Sequence, residues 1–404
     1  MRESRSGVET AASRARLVQA APPRPAAGAA LEPAIAVVLA RTLEKRARGP
    51  YSARREDDVA TRLARLCTAH GCATPRITDL RRLAGGASKE MFAFTLAQVG
   101  QPDEALVLRM DPLESIIETS RQREAEAIAA LAGTVPVPAV RFLDQDGEHL
   151  GQSGLVTSFV QGVTRPTTQT DGGVSGIGTD YGDAAARIAP QFLANLVAIH
   201  AFDWRRAHLP SFAAPAPGTR EAALWQAEWY ERIWRQDAEE QIPLVSLVRR
   251  WLLANAPVCA SPVFLHGDYR MGNFLFDEAS GEMTAVLDWE LAHVGDFHED
   301  IAYVTQKLFG RVDAEGRFLC CGLFTREDFI AHYEALSGRR VDRVTLHYYE
   351  VLNAWKSVVH TFATCLRVAQ AGNNHQDVLL SWLAPVGHLI LADIADKLRR
   401  GPTP

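Results

Sequence analysis

His266-Gly267-Asp268-Tyr269-Arg270-Met271-Gly272-Asn273 is followed, fifteen positions after Asn273, by Asp288-Trp289-Glu290. An Asp, an Asn five residues on and a second Asp across a short hairpin are the groups that phosphoryl transfer from a nucleotide requires. One carboxylate takes the proton of an acceptor hydroxyl, while an amide and a second carboxylate offer Mg²⁺ the hard oxygens it prefers. On this reading Asp268 is the base, Asn273 and Asp288 hold the metal with Glu290 next to them in reserve, and His266 braces the loop by hydrogen bonding. Arg270 joins the set as a candidate contact for an anionic acceptor. His-Gly-Asp alone is a short string, and Asp and Asn are ordinary turn residues. The joint offsets of Asn273, the hairpin and Asp288 carry the reading.

Outward from this run, the hairpin is expected as Phe274–Phe276 against Ala285–Leu287, turned at Glu278-Ala-Ser-Gly281. From Ala184 to about residue 400 the pattern is otherwise helical, most clearly at Gln191–His200 and Ala222–Gln236. Upstream, apolar periodicity predicts helices over Pro33–Arg46 and Asp57–His70. An extended segment at Pro75–Leu80, a Gly-rich turn at Leu83–Ser88 and strands at Met91–Leu96 and Ala105–Met110 come next. A helix is expected over Ile116–Leu131, stopped by Val135-Pro-Val-Pro138, then strands at Val140–Leu143 and Gly154–Phe159. That order is the order of a kinase N-lobe. The chain thus divides into a tail (1–30) expected to be disordered, N-terminal helices (31–70), a small β-rich lobe (71–163), a Gly/Thr-rich loop or lid insertion (164–183) and a larger helical lobe (184–400).

Leu83-Ala-Gly-Gly-Ala-Ser-Lys89 stands where a nucleotide loop belongs. It is not GxGxxG, yet Gly85, Gly86 and Ser88 let backbone N–H groups approach phosphate oxygens. Arg109 occupies the strand position at which kinases use Lys, and its planar fork can contact two oxygens at once. Glu124 shares a helix face with Ile128 and Leu131 and is the expected partner of Arg109, with Glu126 as fallback. Ser158-Phe159-Val160 is the expected hinge, with backbone groups for adenine. Trp225, Trp229, Tyr230 and Trp234 lie along one helix. A stripe of this kind is usually core, though part of it could wall an acceptor pocket. Lys356, His360 and Arg367 are further candidates for an anionic acceptor.

The run from Phe264 to Asp300 resembles the aminoglycoside phosphotransferase family, with Gly267 where protein kinases carry Arg. HGDYRMGN and VLDWELAHVGD are most similar to the kinase-like domain fused to some acyl-CoA dehydrogenases. The likeness covers roughly residues 57–395. It implies a bilobal α+β, protein-kinase-like fold, ATP with Mg²⁺, and an alcohol group of a small molecule as acceptor. It matches Asp268 to the family's base, Asn273 and Asp288 to its metal ligands, Glu124 to its ion-pairing helix acid, and Asp296 and Asp300 to acids that look structural. Relatives of the dehydrogenase-linked type resemble this chain in having Arg at position 109. Within the family, acceptors include aminoglycosides, choline, sugars and hydroxyacyl thioesters, and the dehydrogenase likeness points to a hydroxyacyl-CoA or hydroxy acid.

Composition sets the bounds. With 404 residues the chain is long enough for two or three lobes. Apolar residues are 47% and charged residues 23%, ordinary for a globular protein. A formal charge of −5 without a basic tract argues against a nucleic-acid partner. Six cysteines without CxxC or a regular framework read as reduced thiols, hence a cytoplasmic protein. The longest apolar stretch, Val378 to Ala392, is too short and too interrupted to cross a bilayer and reads as a buried terminal helix. Two competing functions remain open: a non-catalytic nucleotide-binding pseudokinase, and a metal-dependent phosphohydrolase built on His266, Asp268, His293, Asp296 and His298. The oligomeric state is not readable.

Overall fold

The computed structural model describes residues 31–46, 52, 54–83, 88–169, 176–372, 374 and 377–402. The expected tail (1–30) and the nucleotide-loop glycines Gly85 and Gly86 lie outside the described residues. The fold is bilobal, an N-terminal β-sheet lobe and a larger helical lobe. The small lobe is a five-stranded antiparallel sheet, ordered β1-β2-β3-β5-β4. Its strands are β1 (Arg76–Arg82), β2 (Glu90–Ala97), β3 (Glu104–Met110), β4 (Val140–Asp144) and β5 (Gly154–Ser158). In β3 the side chains alternate. Leu106, Leu108 and Met110 are buried on one face with Phe92, Phe94 and Val156. There they meet Val59, Leu63 and Leu66 of helix α2 (Glu56–Ala69). Arg109 points to the opposite face, directly between Met91 of β2 and Leu155 of β5.

That second face is covered by α3 (Arg121–Leu131), whose Ile128 and Leu131 join Leu155 in a core continuous with the large lobe. The N-terminal helix α1 (Pro33–Arg46) adds Ile35 and Leu39 to that core. Just ahead of it, the buried Glu32 pairs with Arg123 and accepts from the Ala213 amide at 3.1 Å. Helix α3 begins five residues later than its apolar spacing suggests. Ser120 is its N-cap, accepting from the Arg123 amide. The stretch before it stays irregular because its polar side chains bond elsewhere: Ser115 to Lys89, Glu118 to the Ser115 amide, Thr119 to Glu290.

The large lobe begins at α4 (Ala185–Ala201), followed by α5 (Glu221–Asp237) and α6 (Pro243–Asn255). Short strands β6 (Val263–Leu265) and β9 (His293–Gly295) pair and enclose the β7/β8 hairpin (Phe274–Phe276, Met283–Val286). Helix α7 (His298–Val304) and α8 (Arg326–Ser337) lead to α9 (Arg343–Val359). Helix α9 runs through a π-helical stretch, His360–Cys365, into α10 (Leu366–Ala371), and α11 (Asp377–Arg400) closes the chain. Within this lobe Trp229, Tyr230, Trp234, Tyr333, Tyr349 and Trp355 are all buried. Among the described residues no helix is long and apolar enough to cross a membrane.

Candidate active site

The HGDYRMGN run leaves β6, turns once and ends at the hairpin. Its backbone is fixed by one buried carboxylate. Asp300, on α7, accepts from the His266 amide through Oδ2 and from the Gly267 amide through Oδ1, each at 2.9 Å. Burial alone would raise the Asp300 carboxyl; the hydrogen bond from the His200 ring, with the His266 amide, holds it below the usual range. The His266 ring spans the loop. Its Nδ1 accepts from the Asp268 amide at 3.1 Å, so Nε2 carries the proton and donates to the Leu287 carbonyl at 2.9 Å. Gly267 has φ +81°, and a Cβ there would lie 2.4 Å from the Leu291 carbonyl oxygen. Glycine is required on both counts.

Asp268 is partly buried, and its Oδ1 accepts from Arg270 Nε at 3.0 Å. Tyr303 lies beside it, its hydroxyl pushed well above the ordinary tyrosine range by burial and by the Asp268 charge. Asn273 donates through Nδ2 to the Asp268 carbonyl at 2.9 Å, which turns its Oδ1 the other way. The Leu287 amide bonds the Asn273 carbonyl at 2.8 Å, which puts Asn273 and Asp288 at the same open end of the hairpin. Asp288 adopts φ +66°, ψ +54°, a left-handed conformation uncommon outside glycine. Two hard oxygen donors at the mouth of one hairpin fit Mg²⁺.

Across the cleft, Arg109 reaches its expected partner Glu124 and also Asp288, which the sequence does not pair with it. Nη1 lies 2.9 Å from Glu124 Oε1 and Nη2 lies 2.6 Å from Asp288 Oδ1. The geometry joins β3, α3 and Asp288 through one guanidinium. Glu126, the fallback, is engaged elsewhere, with Gln122 and the Ser211 hydroxyl. Glu290 takes a different place from the one expected. Its Oε2 lies 2.8 Å from Arg121 Nη2, 3.2 Å from Lys89 Nζ and 2.9 Å from Thr119 Oγ1. Burial works against its charge, but Lys89, Arg121 and Arg109 hold the carboxyl well below its ordinary value. Sequence reasoning misses Lys89 and Arg121. Only the cost of burying an unpaired charge would have hinted at them, and nothing in a sequence says which Lys is buried.

Ser88 is half-buried, two residues before β2. Ser158 uses its hydroxyl to accept from the Ala139 amide at 2.9 Å; Val160 lies two residues on, half-buried, at the lobe junction. The 164–183 loop is tied down at both described ends. Thr167 bonds Glu278, and Asp180 pairs with Arg311 at 2.8 Å. Gly176 lies so close to Gly272 that a Cβ would meet its amide at 2.4 Å, which places this loop against the His266–Asn273 one.

The cations proposed for an anionic acceptor are each matched inside the protein. Arg270 pairs with Asp268, Lys356 with Glu299, and Arg367 with Glu114 and with Asp237 at 3.2 Å. Burial, with Lys356 nearby, lowers His360 to about 4, so its ring is neutral near pH 7 and bonds the Tyr230 hydroxyl at 3.2 Å. The phosphohydrolase set does not assemble. His298 bonds Asp296 and the Asp342 amide, and His293 bonds Glu299 and the Leu291 carbonyl. Among the described residues no three His, Cys, Asp or Glu form a group that could hold a metal.

The sequence profile of the family described as "Phosphotransferase enzyme family" matches residues 79–320. Mouse (Mus musculus) acyl-CoA dehydrogenase family member 10 is 28% identical over 229 residues, 56% of this chain and 20% of that protein. Chicken (Gallus gallus) acyl-CoA dehydrogenase family member 11 is 28% identical over 237 residues, 57% of this chain and 28% of that protein. The match thus spans well under a third of these relatives. A solved Ralstonia eutropha protein, described as a candidate aminoglycoside phosphotransferase, superposes with a TM-score of 0.59 at 21% identity, covering 83% of this chain and 98% of that one. A thermostable mutant of aminoglycoside phosphotransferase APH(4)-Ia, in complex with ADP and hygromycin B, gives 0.50 at 18%, covering 78% and 94%. At these identities the structures speak for the fold.

Proposed function

The chain belongs to the phosphotransferase enzyme family, and we propose that it transfers the γ-phosphate of ATP to a hydroxyl of a small molecule. The observation that carries this reading is that Asp268, Asn273 and Asp288 sit on one braced loop-and-hairpin unit, with Asp288 tied to Arg109 and Glu124 from the opposite lobe. When bound, Mg·ATP supplies the activated phosphoryl group and its charge neutralisation. Asn273 Oδ1 and the Asp288 carboxylate are the groups that would hold the metal. Arg109, stiffened by Glu124, would meet phosphate oxygens, and the Ser158–Val160 backbone would meet adenine. Asp268, with one oxygen restrained by Arg270, holds the acceptor hydroxyl with the other and takes its proton.

We place the acceptor among hydroxyacyl-CoAs or hydroxy acids. The dehydrogenase-linked relatives support this, being 28% identical over 229 and 237 residues. So does the neighbourhood of Asp268. Arg270, Lys356 and Arg367 are balanced by Asp268, Glu299, Glu114 and Asp237. Tyr230 and Tyr303 lie beside the base, with neutral His360 bonded to Tyr230, and these uncharged rings suit an apolar acyl chain rather than a polycation. The free thiols Cys67, Cys72, Cys259, Cys320, Cys321 and Cys365 support a reducing, cytoplasmic setting. A coupled ADP-release screen over hydroxyacyl-CoAs, hydroxy acids, choline, sugars and aminoglycosides tests the reading. Turnover of an aminoglycoside or choline with kcat/KM roughly a hundredfold above every hydroxyacyl compound would remove the acceptor assignment. ATP binding with no ADP release from any acceptor would make the chain a pseudokinase.

A further inference from the structure

Glu290 stands two residues after Asp288, where a second metal-side carboxylate is expected, but its Oε2 is already engaged by Lys89, Arg121 and Thr119. Its carboxylate is drawn into the small lobe by two buried cations. Lys89, 1% exposed, lies at the end of the nucleotide loop. Its Nζ is 3.2 Å from Glu290 Oε2, 3.3 Å from Asp111 Oδ1 and 3.0 Å from the Ser115 hydroxyl. Arg121, also 1% exposed, is the first residue of α3. It reaches Glu290 Oε2 at 2.8 Å, the Thr119 hydroxyl at 2.6 Å and Asp111 Oδ1 at 3.3 Å, and it pairs with Glu124.

One large-lobe carboxylate is therefore embedded in small-lobe charge. Asp288 is anchored twice: directly through Arg109, and two residues along the chain through Glu290. Glu124 is held twice as well, by Arg109 and Arg121. A buried cation with a single weak partner would be costly; here each has several, and Lys89 and Arg121 share the carboxylates of Asp111 and Glu290. This geometry uses Glu290 Oε2 for cations that a metal ion would repel.

We propose that Lys89, Arg121 and Glu290 form an interlobe lock, and that Glu290 is a positioning residue for Asp288 and Glu124, not a metal ligand. The inference rests in part on the phosphotransferase reading, since what the lock positions is the nucleotide side of that site.

The test is a double-mutant cycle on the full chain, Lys89→Met and Glu290→Gln, followed first by thermal unfolding without metal or nucleotide. Each single change should lower Tm by roughly 5–10 °C, and the double should lose little more than the worse single. The second readout is binding of ADP by calorimetry, with Mg²⁺ titrated. Because the lock acts through position, both single variants should weaken Mg·ADP by a similar factor, roughly three- to tenfold, and leave the Mg²⁺ midpoint within twofold. A merely structural pair would shift Tm and leave Mg·ADP affinity alone. Additive Tm losses would overturn the lock. So would a tenfold rise in the Mg²⁺ midpoint in Glu290→Gln with none in Lys89→Met, the signature of a metal ligand. Should either variant fail to fold, Lys89→Arg and Glu290→Asp enter the same cycle with the same criteria. If the wild type binds no Mg·ADP, the phosphotransferase reading falls, and the Tm cycle still decides the lock.

Discussion

The two walls of the cleft are built by opposite means. On the large-lobe wall, side chains hold backbone: Asp300 takes two amides, His266 takes an amide and a carbonyl, and Asn273 takes a carbonyl. On the small-lobe wall, side chains hold side chains, and the partners come from far apart. Arg121 and Glu290 are 169 residues apart, Arg109 and Asp288 are 179 apart. The first arrangement tolerates few identities but is insensitive to charge balance elsewhere. The second depends on the summed charge of the cluster, so a change at one member is felt at the others.

The largest expected effect strikes the group that the braced loop exists to present. Asp268→Asn should lower turnover by roughly two to four orders of magnitude with ATP affinity nearly unchanged. Near-normal kcat in that variant would leave the loop's bracing without a catalytic purpose. Next comes the brace itself. Asp300→Ala leaves two buried amides without an acceptor, and should cost about 3–5 kcal/mol in denaturant unfolding. Asp300→Asn should do little better, because an amide has one oxygen for two donors. Recovery in the Asn variant would mean that one of the two bonds is dispensable.

Gly267→Ala should rank third at about 1–3 kcal/mol, through positive φ and the Leu291 carbonyl. Urea unfolding measures it, and a cost below about 0.5 kcal/mol would show that the loop relaxes. On the other wall Arg109→Lys keeps the charge and loses the fork, so Glu124 and Asp288 can no longer be held together. ATP kcat/KM should fall roughly tenfold, with Arg109→Ala worse. Equal constants in all three proteins would leave Arg109 a bystander.

The smallest effect is a pH term. Folding lowers His360 to about 4 from 6.5, so the unfolded chain binds the proton first as acid is added. Stability should decline as pH falls from about 6.5 to about 4, with His347 contributing in the same direction. His360→Gln should flatten that decline in urea unfolding. An unchanged slope would place the term elsewhere.

The difference between the walls also explains how much was legible in the sequence. The His266–Asn273 loop, the hairpin and the β-strands are specified by short spacings: a glycine where φ must be positive, an alternation of period two, a fixed offset from Asp268 to Asn273. Arg109 and Glu124 were legible because strand and helix each fix a face. The Lys89, Arg121 and Glu290 cluster was not, since it depends on three segments meeting. The same cluster misled the helix boundary, because Ser115 and Thr119 bond across it rather than along a helix. The paired state of Lys356 and Arg367 was likewise hidden, their carboxylates lying on other elements. The left-handed Asp288 had no glycine to announce it.

The π-helical stretch at His360–Cys365 sets the rotational phase of the helix beyond it. An α-helix turns by about 100° per residue, and a wide turn accommodates an extra residue without ending the helix. Deleting one residue from this stretch would let the wide turn close into ordinary windings with the helix beyond it kept in phase, whereas deleting one from the α-helical part of α9 would swing everything beyond it by about 100° around its axis. Arg367 would then leave Glu114 and Asp237. Gly387 of the last helix would lose the neighbours it now fits, Thr361 and Phe362. A single insertion or deletion in that α-helical part, unlike one in a surface loop, would re-index the face on which Arg367 meets Glu114 and Asp237.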